Sequence, residues 1–104
     1  MKKADHSADR DSIKHLQQIV NVGPATQEDF EQLVIRAPQE LIDADPWQLY
    51  ERLCQTTQTR YDPCCLDVFI SAIDFMNGNP PQPWWNYTPD RKSKYATRLQ
   101  ELKL

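Results

Sequence analysis

Three dipeptides constrain this chain more than any other feature: Asp45-Pro46, Asp62-Pro63 and Thr88-Pro89. Each puts a side chain able to accept from the first free amides of a helix before a proline, whose preset φ suits the first helical position and which needs no donor there. Ala37-Pro38 is a weaker version of the same start. Read from these starts, the sequence predicts helices over 38–43, 46–56, 63–77 and 89–102. In the third of them Cys65, Val68, Phe69, Ala72, Ile73 and Met76 fall at i, i+3, i+4, i+7, i+8 and i+11, the clearest helical stripe in the chain. That helix is expected at the centre of the core. No segment alternates apolar and polar residues as a strand would. The expectation is an all-α fold, a compact bundle of five or six short helices.

Upstream, Ile13, Leu16, Ile19 and Val20 predict a short amphipathic helix stopped by Asn21 and Gly23. Phe30, Leu33 and Val34 mark a second helix, with Thr26 and Asp29 in capping spacing near its start. Two helices joined by a corner on Asn21 and Gly23, with Val22 between them, resemble the helix-hairpin-helix motif, in which a tight turn exposes successive backbone N–H groups beside the N-terminus of the second helix. Such donors hold a phosphate without reading a base. The corner needs residues that tolerate a left-handed backbone and a close approach, which asparagine and glycine supply. The candidate contacts are therefore Asn21, Val22, Gly23, Pro24, Ala25 and Thr26.

Composition excludes several classes. The chain has 104 residues, 39% of them hydrophobic, and a mean hydropathy of −0.74. No run approaches the roughly 20 apolar residues of a membrane span. The opening MKKADHSADRDS has neither the apolar core of a signal peptide nor an amphipathic transit pattern, so a flexible segment 1–12 and a cytoplasmic location are expected. Cys54, Cys64 and Cys65 are odd in number and two are adjacent, a poor disulfide framework. His6 and His15 lie far from them, so no metal site or cofactor is expected.

The net charge of −3 is unevenly spread. Residues 76–104 carry five basic and two acidic groups, whereas 36–75 carry three and seven. A nucleic acid is thus repelled by the middle of the chain and attracted by its tail. Within the tail, Arg91, Lys92, Lys94 and Arg98 suit phosphate contacts, or else form the solvated face of a helix whose other face carries Tyr95, Leu99 and Leu102. Trp84 and Trp85, in a proline-rich stretch, suit stacking on unpaired bases, entry into a partner's pocket, or anchoring of one indole on the core. Catalysis has little support, since no nucleophile, base and orienting group are gathered. Cys64, at a helix start, is the one candidate for a reactive thiol.

The order NVGPAT, DFEQLVI, DPWQLYERLC, a second cysteine after an aspartate, a VF-containing helix and then PWWN resembles the small bacterial pathogenicity-locus family of helix-hairpin-helix proteins, sometimes labelled mitomycin-resistance proteins. The resemblance covers about residues 13–87. It implies a tandem, SAM-like helix-hairpin-helix core and a role in DNA binding or repair. Against that pattern Asn21 replaces a glycine, Gln27 stands where a small alanine lets helices pack, and Val34 takes the place of a helix-ending glycine, putting a β-branched residue in a strained turn. A second hairpin falls at Asp43-Ala44-Asp45-Pro46, where two carboxylates oppose a phosphate and imply a structural role.

The resulting expectation is a helix-hairpin-helix domain over 13–87 with a proline- and tryptophan-rich extension, followed by a basic amphipathic helix over 88–104. Its expected activity is non-enzymatic, sequence-nonspecific DNA binding by a monomer, through the hairpin amides and the basic tail. The alternative is a protein-interaction module that uses the helical surface and the PWWN segment.

Overall fold

The computed structural model describes residues 13–103, so the expected flexible segment 1–12 lies outside the described residues. These residues form four α-helices, α1 (Pro24–Gln32), α2 (Pro46–Thr57), α3 (Pro63–Met76) and α4 (Thr88–Glu101), with single 3-10 turns at Leu16–Gln18, Pro38–Leu41 and Trp84–Tyr87. No strand and no helix long and apolar enough to cross a membrane occurs among the described residues.

The prolines start helices as expected. Asp45 Oδ1 accepts from the Trp47 and Gln48 amides at 2.9 and 3.4 Å, and Asp62 Oδ1 accepts from the Cys64 amide at 2.8 Å. At α4 the expectation needs correction: Thr88 lies inside the helix, and its hydroxyl donates to Asp67 Oδ2 at 2.7 Å instead of capping. At α1 the start is Gly23-Pro24, ahead of the Thr26–Asp29 spacing, and the glycine cap carries no side chain to bond the helix amides.

The expected helix over 13–20 is also corrected. Bonds run from the Gln18 amide to His15 O, from Ile19 to Leu16 O and from Val22 to Ile19 O, each spanning three residues. Ile13, Leu16, Ile19 and Val22 are all buried. Their spacing of three matches this tighter spiral, whereas an α-helix needs 3.6. The expected hairpin therefore has an α-helix only on its C-terminal side among the described residues. Likewise 38–43 is a single turn, ended by Asp43 at φ 62°.

These two irregular stretches are copies of one device. In the first, the Gln18 side chain accepts from the Lys14 and His15 amides, Asn21 sits at φ 69°, and Gly23-Pro24 opens α1. In the second, Glu40 accepts from the Arg36 and Ala37 amides, Asp43 is left-handed, and Asp45-Pro46 opens α2. Every position is offset by twenty-two residues. The buried set repeats as well, with Ile13, Leu16 and Ile19 matched by Ile35, Pro38 and Leu41.

Both copies pack around α3. The expected stripe holds Phe69, Ala72, Ile73 and Met76 buried, with Cys65 and Val68 half-buried. Leu66 and Phe75, on its two flanks, and Asp67, on the opposite side, are also fully buried. A helix buried all round is enclosed by neighbours on every face. Phe69 stacks on Phe30 of α1 with centroids 5.0 Å apart, and α4 docks on α2 where Tyr95 stacks on Trp47 at 5.9 Å.

Candidate nucleic-acid interface

The first copy of the device carries the candidate residues Asn21 to Thr26. Asn21 takes the left-handed turn, and Val22 behind it is buried, so the corner is fixed by one polar and one apolar residue. Gly23 has an extended backbone, φ −102° and ψ −170°, which any residue adopts. A Cβ built there meets nothing within 4 Å. Its smallness is therefore not needed for packing, and its effect is to leave the helix end open. Ala25 and Thr26 follow Pro24 in the first turn, where amides have no carbonyl a turn earlier to bond; Ala25 is exposed and Thr26 half-buried.

The second copy shows what those amides can hold. Trp47 and Gln48 occupy the positions equivalent to Ala25 and Thr26, and their N–H groups bond one carboxylate oxygen of Asp45. The equivalent helix start therefore cradles an anionic oxygen in one copy, where Asp45 has ψ 111°, and carries no capping side chain in the other, where Gly23 has ψ −170°. The Asp43–Pro46 hairpin is structural in this sense, since its own acid fills it.

The surroundings of the open end are polar. Gln17, Pro24, Ala25, Gln27, Glu28 and Glu31 line a shallow hollow of about 370 Å³. Gln27 does not wedge helices apart: it accepts from Gln17 Nε2 at 2.6 Å and donates to Glu31 Oε2 at 3.0 Å on the outer side. Burial, then the neighbouring Glu28, raises the Asp29 carboxyl above its ordinary value. Val34 is left-handed at φ 62° and 64% exposed, so the strain implied by its replacing a glycine is present.

Asn21 connects the hairpin to the proline-rich segment sixty-one residues on. Its Nδ2 donates to Ser71 Oγ at 3.1 Å and to the Gln82 carbonyl at 2.7 Å. From there the Trp84–Tyr87 turn is braced by Asn86 donating to Gln82 Oε1 and by Tyr87 donating to Asp74 Oδ2 at 2.6 Å. Burial, then that bond, raises the Tyr87 phenol well above its ordinary value. Trp84 is half-buried and Trp85 60% exposed, with the rings edge to face at 5.6 Å. The segment is thus anchored mainly by hydrogen bonds, with no indole sunk in the core.

The four basic candidates on α4 separate. Arg91 is 8% exposed, its Nε 2.8 Å from Asp67 Oδ1, so its charge is spent inside the fold and not on the surface. The Arg98 guanidinium lies 5.9 and 5.7 Å from the Trp47 and Tyr95 ring centres, where it braces the α2–α4 contact. Lys92 and Lys94 are exposed. Sequence reasoning missed Asp67, wholly buried on α3, and Arg60, whose guanidinium donates to the Leu99 and Leu102 carbonyls at the end of α4. Neither Cys64 nor Cys65 is an activated thiol. The hydrogen bond to Asp62 raises Cys64, and burial pushes Cys65 up to about 12.

Comparison with known proteins sets this geometry in context. The chain is 46% identical over 78 residues to the mitomycin resistance protein McrB of Streptomyces lavendulae, an alignment spanning 75% of this chain and 74% of that protein. No solved structure matches it significantly. The sequence model of the pathogenicity-locus family matches residues 9–93, most of the chain, including both copies of the turn device and the PWWN segment. The chain belongs to the pathogenicity-locus family.

Proposed function

We propose that this chain is a non-enzymatic DNA-binding protein that contributes to resistance against DNA damage, and that it takes a backbone phosphate at the Ala25 and Thr26 amides without reading base sequence. The observation that carries this reading is the internal copy, in which equivalent amides already hold a carboxylate oxygen of Asp45. The partial positive charge of a helix start favours a phosphate oxygen in the open copy for the same reason. Exposed Lys92 and Lys94 would add non-specific attraction, whereas Arg91 contributes none because it is buried in an ion pair. The link to damage resistance rests on the similarity to a mitomycin resistance protein.

Gly23→Asp tests the reading, because it rebuilds the Asp45 cap in the first copy. An acid at an extended cap position bonds the first-turn amides and stabilises the helix by a few tenths of a kcal/mol or more over glycine. The same change fills the cradle with negative charge. In fluorescence anisotropy with labelled duplex DNA, wild-type affinity should fall as salt rises, and the variant should lose binding while melting no lower than wild type. An undiminished affinity in the stabilised variant rejects the site. A second reading, a protein-interaction module, draws on Glu28 and Glu31 beside the open end; failure of the wild type to bind DNA even at low salt decides in its favour.

A further inference from the structure

We infer that the Trp84–Trp85 turn is a stacking platform for unpaired nucleobases, so that single strands and locally unpaired DNA are preferred over continuous duplex. This rests on the nucleic-acid reading above and specifies which DNA the protein selects.

Trp85 leaves most of its surface in water, 60% exposed, although an indole this large normally contributes by being covered. Yet the turn that presents it is held on several sides. The Gln82 carbonyl takes the Asn21 amide at 2.7 Å, the Gln82 side chain takes Asn86 at 3.1 Å, and Tyr87 is tied to Asp74 of α3 at 2.6 Å. Pro83, at φ −59°, stiffens the entry. The half-buried Trp84 meets the edge or face of Trp85 at an interplanar angle of 83°, with centroids 5.6 Å apart. An aromatic side chain fixed before its partner arrives loses little conformational freedom on stacking.

Two observations favour a base as the occupant. The donor that fixes the turn, Asn21, is the corner of the hairpin whose next residues are the proposed phosphate contacts. Asn21 thus ties the proposed phosphate contacts and the tryptophan turn to one corner of the molecule. Further, the exposed indole offers a flat face to solvent, which suits the sequence-tolerant π-face of a base. In a continuous duplex those faces are already covered by neighbouring base pairs, so only unpaired bases gain.

The test compares three labelled probes of about 20 nucleotides: oligo-dT, a continuous duplex, and the same duplex with a short internal unpaired bubble. Wild-type protein should bind oligo-dT and the bubble at least about fivefold tighter than the duplex, given the usual strength of stacking on one aromatic ring. Tryptophan emission should be quenched by the first two probes. Trp85→Ala should abolish that preference and leave duplex affinity as it was; its exposure makes the change mild for folding. Gly23→Asp should weaken all three probes together. Equal wild-type affinities, or a preference that survives Trp85→Ala while duplex binding persists, overturn the stacking proposal and leave the phosphate site standing. Absence of binding to any probe at low salt overturns both.

Discussion

Arg91 donates through Nε to one carboxylate oxygen of Asp67 at 2.8 Å and through a terminal nitrogen to the other at 3.3 Å, and Asp67 is wholly buried. Thr88 adds a third donor to the same carboxylate. The charge is therefore satisfied, and α4 is tied to α3 by a bond that is costly to break from one side only. Arg91→Met should cost about 3–5 kcal/mol in urea denaturation, because it strands a buried carboxylate. Replacing both partners, Arg91→Met with Asp67→Leu, should recover most of that loss. Lys92→Ala, on the exposed face of the same helix, should stay within about 0.5 kcal/mol. An Arg91→Met variant no weaker than Lys92→Ala contradicts the pairing.

Phe69 fixes the centre of the fold in the same quantitative sense. It is fully buried and stacked on Phe30, so Phe69→Ala should cost about 3–5 kcal/mol, a large share of the stability of a domain this size. An unchanged denaturation midpoint would place the core elsewhere.

Val34 offers the opposite sign. A β-branched residue at φ 62° pays about 1–2 kcal/mol of strain, and at 64% exposure its side chain gives little burial in return. Glycine removes the strain but adds roughly 0.5–1 kcal/mol of unfolded-state entropy. Val34→Gly should thus raise stability by about 0.5–1 kcal/mol, read as a higher melting temperature. A drop in melting temperature would show that the valine makes contacts worth more than its strain.

Alkaline pH should weaken the fold through Cys65. Burial first, then the nearby Asp29, pushes its thiol up from 9.0 to about 12. The raised value means that the folded chain keeps the proton while the unfolded chain ionises near 9.0. The contribution is therefore complete below about pH 9 and lost as pH rises towards 12. Cys65→Ala should show a shallower fall of melting temperature between about pH 8.5 and 10.5 than wild type. Cys64 and Tyr50 shift in the same direction and leave a residual slope in the variant. Identical slopes would mean that Cys65 is not shielded from ionising.

The helix starts were legible wherever an acid precedes proline, because cap and ring act within two residues. Gly23-Pro24 escaped notice for the complementary reason: its cap has no side chain to advertise it. The stretch 13–22 misled because Ile13, Leu16, Ile19 and Val20 fit an α-helix, and the strict spacing of three appears only when Val22 is counted as core instead of corner. Charge on α4 could be counted but not placed. Arg91 looks like Lys92 in sequence, and what separates them is Asp67, an acid set among the apolar residues of a helix enclosed on every side. The bond from Asn21 to Gln82 joins positions that no local pattern relates.

The two copies of the turn device have a consequence for inheritance. Glycine codons differ from those of aspartate and glutamate by one base, and the backbone at position 23 already accepts a side chain without strain or collision. Where the glycine codon ends in a pyrimidine, the first copy is therefore a single point mutation from sealing itself as Asp45 seals the second. Selection for folding alone would push position 23 towards an acid, whereas selection for an exposed pair of amides would hold it at glycine. The residue that a lineage carries there reports which of the two pressures has governed it.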